Sequence, residues 1–151
     1  MEIIFPIKII LTIAWLALGF WVIATDIFYR KITNPQVGFT LILGLASLLL
    51  LVMELQFYTG AIVLGVGYIL WHLGVCGAGD VKLLAAMSCF VPTEILFDFL
   101  FVVSLIGFVV GVVVIVLHLL RKRDRSVPYG VAIVTSFWVF FIPIIFQKSI
   151  I

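Results

Sequence analysis

The chain has 151 residues, of which 66% are hydrophobic and 11% are charged, with a mean hydropathy of +1.42. Soluble domains carry about 25% charged residues, so this chain has too few to cover a water-facing surface. The composition excludes a soluble globular protein and predicts one membrane domain, 1–151, embedded in a lipid bilayer. The net charge is +2. Because the excess of basic residues lies in one short cluster after an apolar run, it indicates topology, and no nucleic-acid partner is expected.

Six apolar runs predict an all-α membrane protein with six transmembrane helices. A span needs about 20 residues, with 17 near the lower limit. The fourth run is the shortest, with 11 residues before Glu94. A helix of that length covers ~17 Å of a hydrocarbon core about 30 Å thick, so it is either re-entrant, or set in a thin membrane, or continued through Phe97. The runs are 9–25, 37–53, 57–76, 83–93, 99–120 and 127–146.

The connection 26–35 is the most informative polar segment between these runs. It begins with Asp26, contains Arg30 and Lys31, and ends at Pro35, which suits the first turn of the second helix. The two cysteines, Cys76 and Cys89, form no CxxC pair and are interpreted as small buried hydrophobic residues. Neither a metal nor a cofactor is expected.

Basic residues are distributed unevenly between the two ends of the predicted helices. Because cytoplasmic loops carry an excess of Lys and Arg, the richer side is assigned to the cytoplasm. Lys8 and Lys148 fall on the other side, and six spans with both termini outside satisfy this asymmetry. Five spans would place either the basic cluster or Asp26 on the wrong side. The cytoplasmic side holds seven of the nine basic residues: Arg30, Lys31, Lys82, Arg121, Lys122, Arg123 and Arg125.

The same topology brings two aspartates, Asp26 and Asp80, to one face of the membrane. Two carboxyl groups held together at a water–lipid boundary do not both ionise easily, so the pair shares a proton. Aspartic proteases use this arrangement, in which one acid activates water and the other protonates the leaving amide. Gly77 and Gly79, which lack a Cβ, would let a peptide backbone approach Asp80. Either aspartate alone would equally be a helix cap or an interfacial charge.

Three segments resemble those of type IV prepilin peptidases. Segment 77–86, GAGDVKLLAA, resembles the GxGD motif of that family and the residues after it. Segment 26–34, DIFYRKITN, resembles the motif of the first aspartate, in which basic residues precede Ile-Pro-Asn. Segment 128–132, PYGVA, resembles a third family segment at the start of the last span. The segments occur in the family's order and together with the predicted spans cover most of the chain.

The resemblance implies a membrane aspartic endopeptidase with Asp26 and Asp80 as its catalytic pair. It implies cleavage of the short basic leader of a prepilin-like or preflagellin-like substrate, whose apolar helix lies in the bilayer, at the cytoplasmic face of the plasma membrane. Gly77, Gly79 and Lys82 are assigned to substrate approach, although Lys82 is equally interpreted as an anchor at the inner side.

Two departures from the family pattern qualify this expectation. Thr33 stands where the family usually has proline, so a different loop shape after Asp26 is expected. The chain also lacks the CxxC-bearing segment of the larger members that methylate their products. It resembles the small forms that serve Tad/Flp-type pili or archaeal preflagellins, and no methyltransferase activity is expected.

Two other function classes are open at this point. The first is a small transporter coupled to protons or cations through Asp26 and Asp80, which would favour acids near the bilayer midplane and internal repeats. Both acids lie at span ends, and the two halves show no convincing repeat. The second is a structural scaffold, which would leave the paired acids without a role.

Overall fold

Six α-helices make up the structure, a computed structural model that describes residues 4–51, 55–121 and 127–147. This part of the chain contains no β-strand. A 3-10 turn, Thr93–Ile95, leads into the fifth helix. The helices are α1 (Ile4–Tyr29), α2 (Asn34–Leu51), α3 (Phe57–His72), α4 (Ala78–Ser88), α5 (Leu96–Arg121) and α6 (Tyr129–Gln147). The prediction of an all-α protein with six helices is confirmed, and the crossing of the membrane by all six stays a prediction.

Four of these helices, α1, α2, α5 and α6, are long and apolar enough to cross a membrane. Helix α3 has 16 residues and α4 has 11. At ~1.5 Å per residue they extend about 24 Å and about 16 Å, less than the ~30 Å of hydrocarbon in a bilayer. The protein is therefore an integral membrane protein whose fourth helix is short, as predicted. The sides of its termini stay predictions, because several residues that support them lie outside the described part: Lys122, Arg123, Arg125 and Lys148.

The short helix α4 lies in the middle of the bundle and packs against α2, α3 and α6. Glycines on its neighbours make this close packing possible. A Cβ built on Gly60 of α3 would lie 2.2 Å from Cys89 Sγ, and one on Gly67 would lie 2.5 Å from Val81 Cγ1. Small residues let membrane helices approach one another closely. The position of α4, and of the residues at its start, is therefore fixed by contacts on several sides.

An aromatic cluster joins α1 to α6. The ring centroids of Trp15 and Phe137 are 4.8 Å apart, and those of Phe137 and Phe141 are 4.6 Å apart. The Trp15 indole N–H donates to Ser47 Oγ at 3.0 Å, which satisfies this buried polar group. The cluster fixes the position of α1 relative to α6, and the end of α1 and the start of α6 meet at the same end of the bundle.

Helix boundaries near both aspartates differ from the prediction. Helix α1 continues to Tyr29, so Asp26 lies on the helix rather than in a polar connection, and its carbonyl accepts the Arg30 N–H at 3.0 Å. The helix ends at Tyr29 and is followed by Arg30, whose φ of 53° is left-handed. Helix α4 covers Ala78–Ser88 rather than 83–93. Both predicted boundaries were wrong because they followed the apolar runs, whereas the helical backbone extends into the charged segments.

Candidate active site

Asp26 is buried near the end of α1 and is held by the start of α6. Its Oδ2 accepts the Gly130 N–H at 2.7 Å, and the Val131 N–H also interacts with this carboxyl group. The first N–H groups of a helix lack partners within that helix and suit an anionic acceptor. A Cβ on Gly130 would lie 2.8 Å from Asp26 Oδ2. The glycine is therefore required by the close approach of the carboxyl group.

Asp80 is the third residue of α4 and bonds to the backbone just before that helix. Gly77 is the N-cap residue, with φ −76° and ψ 145°, and its N–H donates to Asp80 Oδ2 at 3.3 Å. A Cβ on Gly77 would lie 2.7 Å from the same oxygen. The structure thus gives Gly77 a role toward Asp80 itself, while its predicted role in substrate approach stays a prediction.

Gly79 is the contact point between α4 and the segment that follows α1. A Cβ at this position would lie 3.0 Å from the Ile32 carbonyl oxygen and 3.1 Å from Ile32 Cβ. Because Gly79, the second glycine of the GxGD motif, has no Cβ, Ile32 can pack next to Asp80. Its assignment to substrate approach also stays a prediction.

Both aspartates line one open cleft of about 620 Å³. Its walls are the segment 30–33, the loop 74–77, the start of α4, and Val127 and Tyr129 beside the start of α6. Binding clefts for small ligands and peptide segments have volumes of this order. The prediction that the two acids share a site agrees with this shared cleft, and their catalytic roles stay a prediction.

Asp80 lies outside the four candidate membrane spans, and its acidity differs from that of an ordinary aspartate. Burial first, and then the charge of Asp26, raise the pKa of Asp80 to about 6, against the lowering effect of the Gly77 N–H. A carboxyl group with such a pKa is substantially protonated in mildly acidic solution and retains a proton fraction near neutrality. The site can therefore hold one proton donor next to a second carboxyl group.

Lys82 lies next to the cleft rather than in its wall. Its Nζ donates to Asn34 Oδ1 at 3.1 Å, and this bond connects α4 to the start of α2. The side chain lines a mostly apolar groove between α3 and α4. Its predicted contribution to substrate approach stays a prediction.

For several residues that line or support the cleft, the prediction from the sequence gave no role or a different one. Arg30 and Lys31, interpreted only as topology signals, line the cleft beside the acids. Cys76, interpreted as a buried hydrophobic residue, also lines it, and burial followed by the charge of Asp80 raises the pKa of its thiol. Gly130 belongs to a segment that carried a family resemblance but no stated role. Only tertiary contact reveals its bond to Asp26.

Metal binding by clustered side chains is not indicated in the described residues. Within 4–51, 55–121 and 127–147, no group of three His, Cys, Asp or Glu side chains lies close enough to bind a metal.

The described part of the chain is thus helical, with four candidate membrane spans and two carboxyl groups in one cleft. The chain belongs to the type IV leader peptidase family, whose model matches residues 9–112. The matched part runs from α1 into α5 and contains Asp26 and Asp80, whereas α6, which supplies Gly130, follows it. No curated protein and no solved structure matches the chain. The family identifies this protein in general terms as a leader peptidase.

Proposed function

We propose that this protein is a membrane aspartic endopeptidase that removes the short basic leader of prepilin-like proteins, with Asp26 and Asp80 as its general acid/base pair. The observation that supports this most directly is that α1 and α4 each contribute one aspartate to a single cleft. The membership of the chain in the leader peptidase family supports the same reaction class. No cofactor takes part in the proposed reaction.

The two acids have different surroundings, which favours different roles. Asp26 accepts backbone N–H groups at the start of α6. An ionised carboxylate is an acceptor only, so these donors suit the charged partner. Asp80 accepts one longer backbone bond, at 3.3 Å, so fewer donors stabilise its charged form, which suits the protonated partner. We therefore assign Asp26 as general base and Asp80 as general acid.

The reaction then proceeds in two proton transfers. Asp26 removes a proton from water while the water oxygen bonds to the scissile carbonyl carbon, giving a tetrahedral intermediate. Asp80 donates its proton to the amide nitrogen as the carbon–nitrogen bond breaks, and the carbonyl re-forms as a carboxylic acid. The proton on Asp26 returns to Asp80 through solvent, which restores the starting state.

The charge distribution supports the proposed side of the membrane, and the family supports the proposed kind of substrate. Seven of the nine basic residues lie on the side assigned to the cytoplasm, together with both aspartates. A substrate whose apolar helix lies in the plasma membrane would present its leader to this face. Pilin-like or preflagellin-like proteins have this form. No observation in the described residues favours the alternative of a transporter using the same two acids.

Cleavage assays of aspartate variants test the catalytic pair. Asp26→Asn and Asp80→Asn are each expected to abolish cleavage of a co-expressed prepilin-like substrate in membranes. Asp98→Asn makes the same chemical change at an exposed residue at the start of α5 and serves as the matched control. Normal processing by either of the first two variants would exclude the two-aspartate mechanism.

Reporter fusions test the proposed side of the membrane. A reporter fused after Lys122 is expected to be cytoplasmic. An external reporter would place the cleft in the other compartment, while the result of the aspartate assays would be unaffected.

A further inference from the structure

A buried amide side chain bonds to Thr33, one of the residues that line the cleft. Gln36, in the first turn of α2, is 0% exposed. Its Oε1 accepts the Thr33 N–H at 2.8 Å and the Thr33 hydroxyl at 3.0 Å. Its Nε2 donates to Thr25 Oγ1 at 2.7 Å and to the Trp21 carbonyl at 3.5 Å. An amide side chain has two donors and can accept two bonds, so every polar capacity of Gln36 is used.

These bonds connect the two ends of the segment that carries Asp26. Thr25 immediately precedes Asp26 on α1, and Thr33 ends the segment that follows it. The left-handed backbone at Arg30 turns the chain between them. Gln36 therefore holds the end of segment 30–33 against the last turns of α1.

Ile32, one residue before Thr33, lies between the backbone supports of the two aspartates. Its carbonyl oxygen would be 3.0 Å from a Cβ on Gly79, the residue before Asp80. Its Cδ1 would be 3.1 Å from a Cβ on Gly130, the donor to Asp26. Ile32 thus lies close to both glycines, and a Cβ at either would be closer to it than ordinary van der Waals contact.

We propose that Gln36 is a positioning residue of the two-aspartate site, because its amide fixes segment 30–33 and, through Ile32, the separation of Asp26 from Asp80. This inference rests on the proposed function for its kinetic test. Gln36 contacts neither aspartate and does not line the cleft. Its contribution would be to the geometry of the pair, on which proton transfer depends.

The first test compares variants of the Gln36 network with a matched control. Gln36→Leu removes all four bonds of the amide. Thr25→Val removes one of the four, together with the bonds that the Thr25 hydroxyl donates to the Trp21 and Val22 carbonyls. Each is expected to lower kcat, Gln36→Leu by roughly 10- to 100-fold, with KM changed by less than about threefold. Thr25→Ser, which keeps the hydroxyl group, is expected to retain most of the activity. Ser47→Ala removes a buried bond of the same helix in the aromatic core, and it is expected to lower thermal stability without changing kcat.

The second test measures the pKa of Asp80 directly and needs no cleavage assay. Infrared titration follows the protonated carboxyl band that disappears in Asp80→Asn. Gln36→Leu is expected to lower the pKa of Asp80 from about 6 toward its ordinary value, because a displaced loop admits water and weakens the influence of Asp26. The charged or titratable groups around the cleft are identical in the two proteins: Asp26, Arg30, Lys31, Cys76 and Tyr129.

The outcomes separate this inference from the proposed function. If Gln36→Leu behaves like Ser47→Ala, with an unchanged kcat and an unchanged or higher pKa of Asp80, the positioning role is wrong while the peptidase assignment stands. If the wild-type protein cleaves no prepilin-like substrate, the proposed function is wrong. In that case the titration of Asp80 alone tests the positioning role. If Gln36→Leu does not fold, the same measurements are made on Thr25→Val.

Discussion

Replacing Gly130 by alanine tests whether the start of α6 positions Asp26. The backbone at this position is helical, and among the described glycines only Gly74 has a positive φ, so alanine is acceptable to the local backbone. The obstacle is space. The new Cβ would lie 2.8 Å from Asp26 Oδ2 and 3.1 Å from Asp26 Cγ. Ordinary contact for such a pair begins at 3.4 Å, so the carboxyl group must move by about 0.6 Å, the difference between these two distances.

This displacement affects the bond between the Gly130 N–H and Asp26, which is 2.7 Å long. Moving the oxygen by about 0.6 Å brings the bond to roughly 3.3 Å, near the limit for an N–H···O bond. Hydrogen bonds to charged groups contribute about 1.5–3 kcal/mol, and a misplacement of 1 Å can cost about 100-fold in rate. We therefore expect kcat to fall by roughly 10- to 100-fold.

The assay is cleavage of a prepilin-like substrate per folded molecule, with folding followed by thermal denaturation in detergent. Gly38→Ala is the matched control, because it makes the same change on α2 where no atom lies within 4 Å of the new Cβ. The control is expected to keep the wild-type kcat. A wild-type kcat for Gly130→Ala would refute the argument that α6 positions Asp26 through this bond.

Three further predictions concern the charges and glycines of the cleft. Because the pKa of Asp80 is raised to about 6 and its protonated form is the proposed acid, kcat/KM is expected to fall about tenfold per pH unit above that pKa. A pH–rate profile that is flat from pH 5 to 8 would contradict this assignment. Lys31→Gln is expected to lower KM for a basic leader by up to about fivefold, an effect that salt suppresses because Lys31 is exposed. Equal KM values for the two proteins at low salt would exclude an electrostatic influence of Lys31. Gly77→Ala is expected to lower kcat less than Gly130→Ala, since its bond to Asp80 is already 3.3 Å long. The ratio of the two kcat values measures this difference, and the reverse order would disprove it.

The fold was largely predictable because apolar runs determine membrane helices. The 11-residue fourth run predicted a short helix, and α4 also has 11 residues, although they begin at Ala78. The start of α4 was missed because the Gly77 N-cap and Asp80 extend the helix into a charged segment. The end of α1 was missed for a related reason. Its helical bonds continue past Asp26 to Arg30, where only the left-handed backbone ends them.

The two acidic residues of the site could be predicted from the sequence, whereas the residues that hold them in place could not. Asp26 and Asp80 are charged residues beside apolar runs, and such residues are costly to keep unless they have a function. Gln36 gave no comparable signal, since a polar residue after a proline is ordinary at the start of a helix. Its importance arises from four bonds that exist only when α1, the loop and α2 are assembled. The bond from Gly130 joins residues 104 positions apart and has no local signature.

The two aspartates share one mode of support, which explains why glycines surround the cleft. Each carboxyl group accepts, on its Oδ2, the N–H of a glycine at the start of a helix, Gly77 at α4 and Gly130 at α6. In each case a Cβ would lie within 2.8 Å of that oxygen. Gly77, the first glycine of the GxGD motif, thus supports Asp80 with its backbone N–H in the same way as Gly130 supports Asp26. Because the start of a helix offers unpaired N–H groups and glycine gives access to them, two such starts facing one cleft can hold the buried carboxyl group of Asp26 and the half-buried carboxyl group of Asp80.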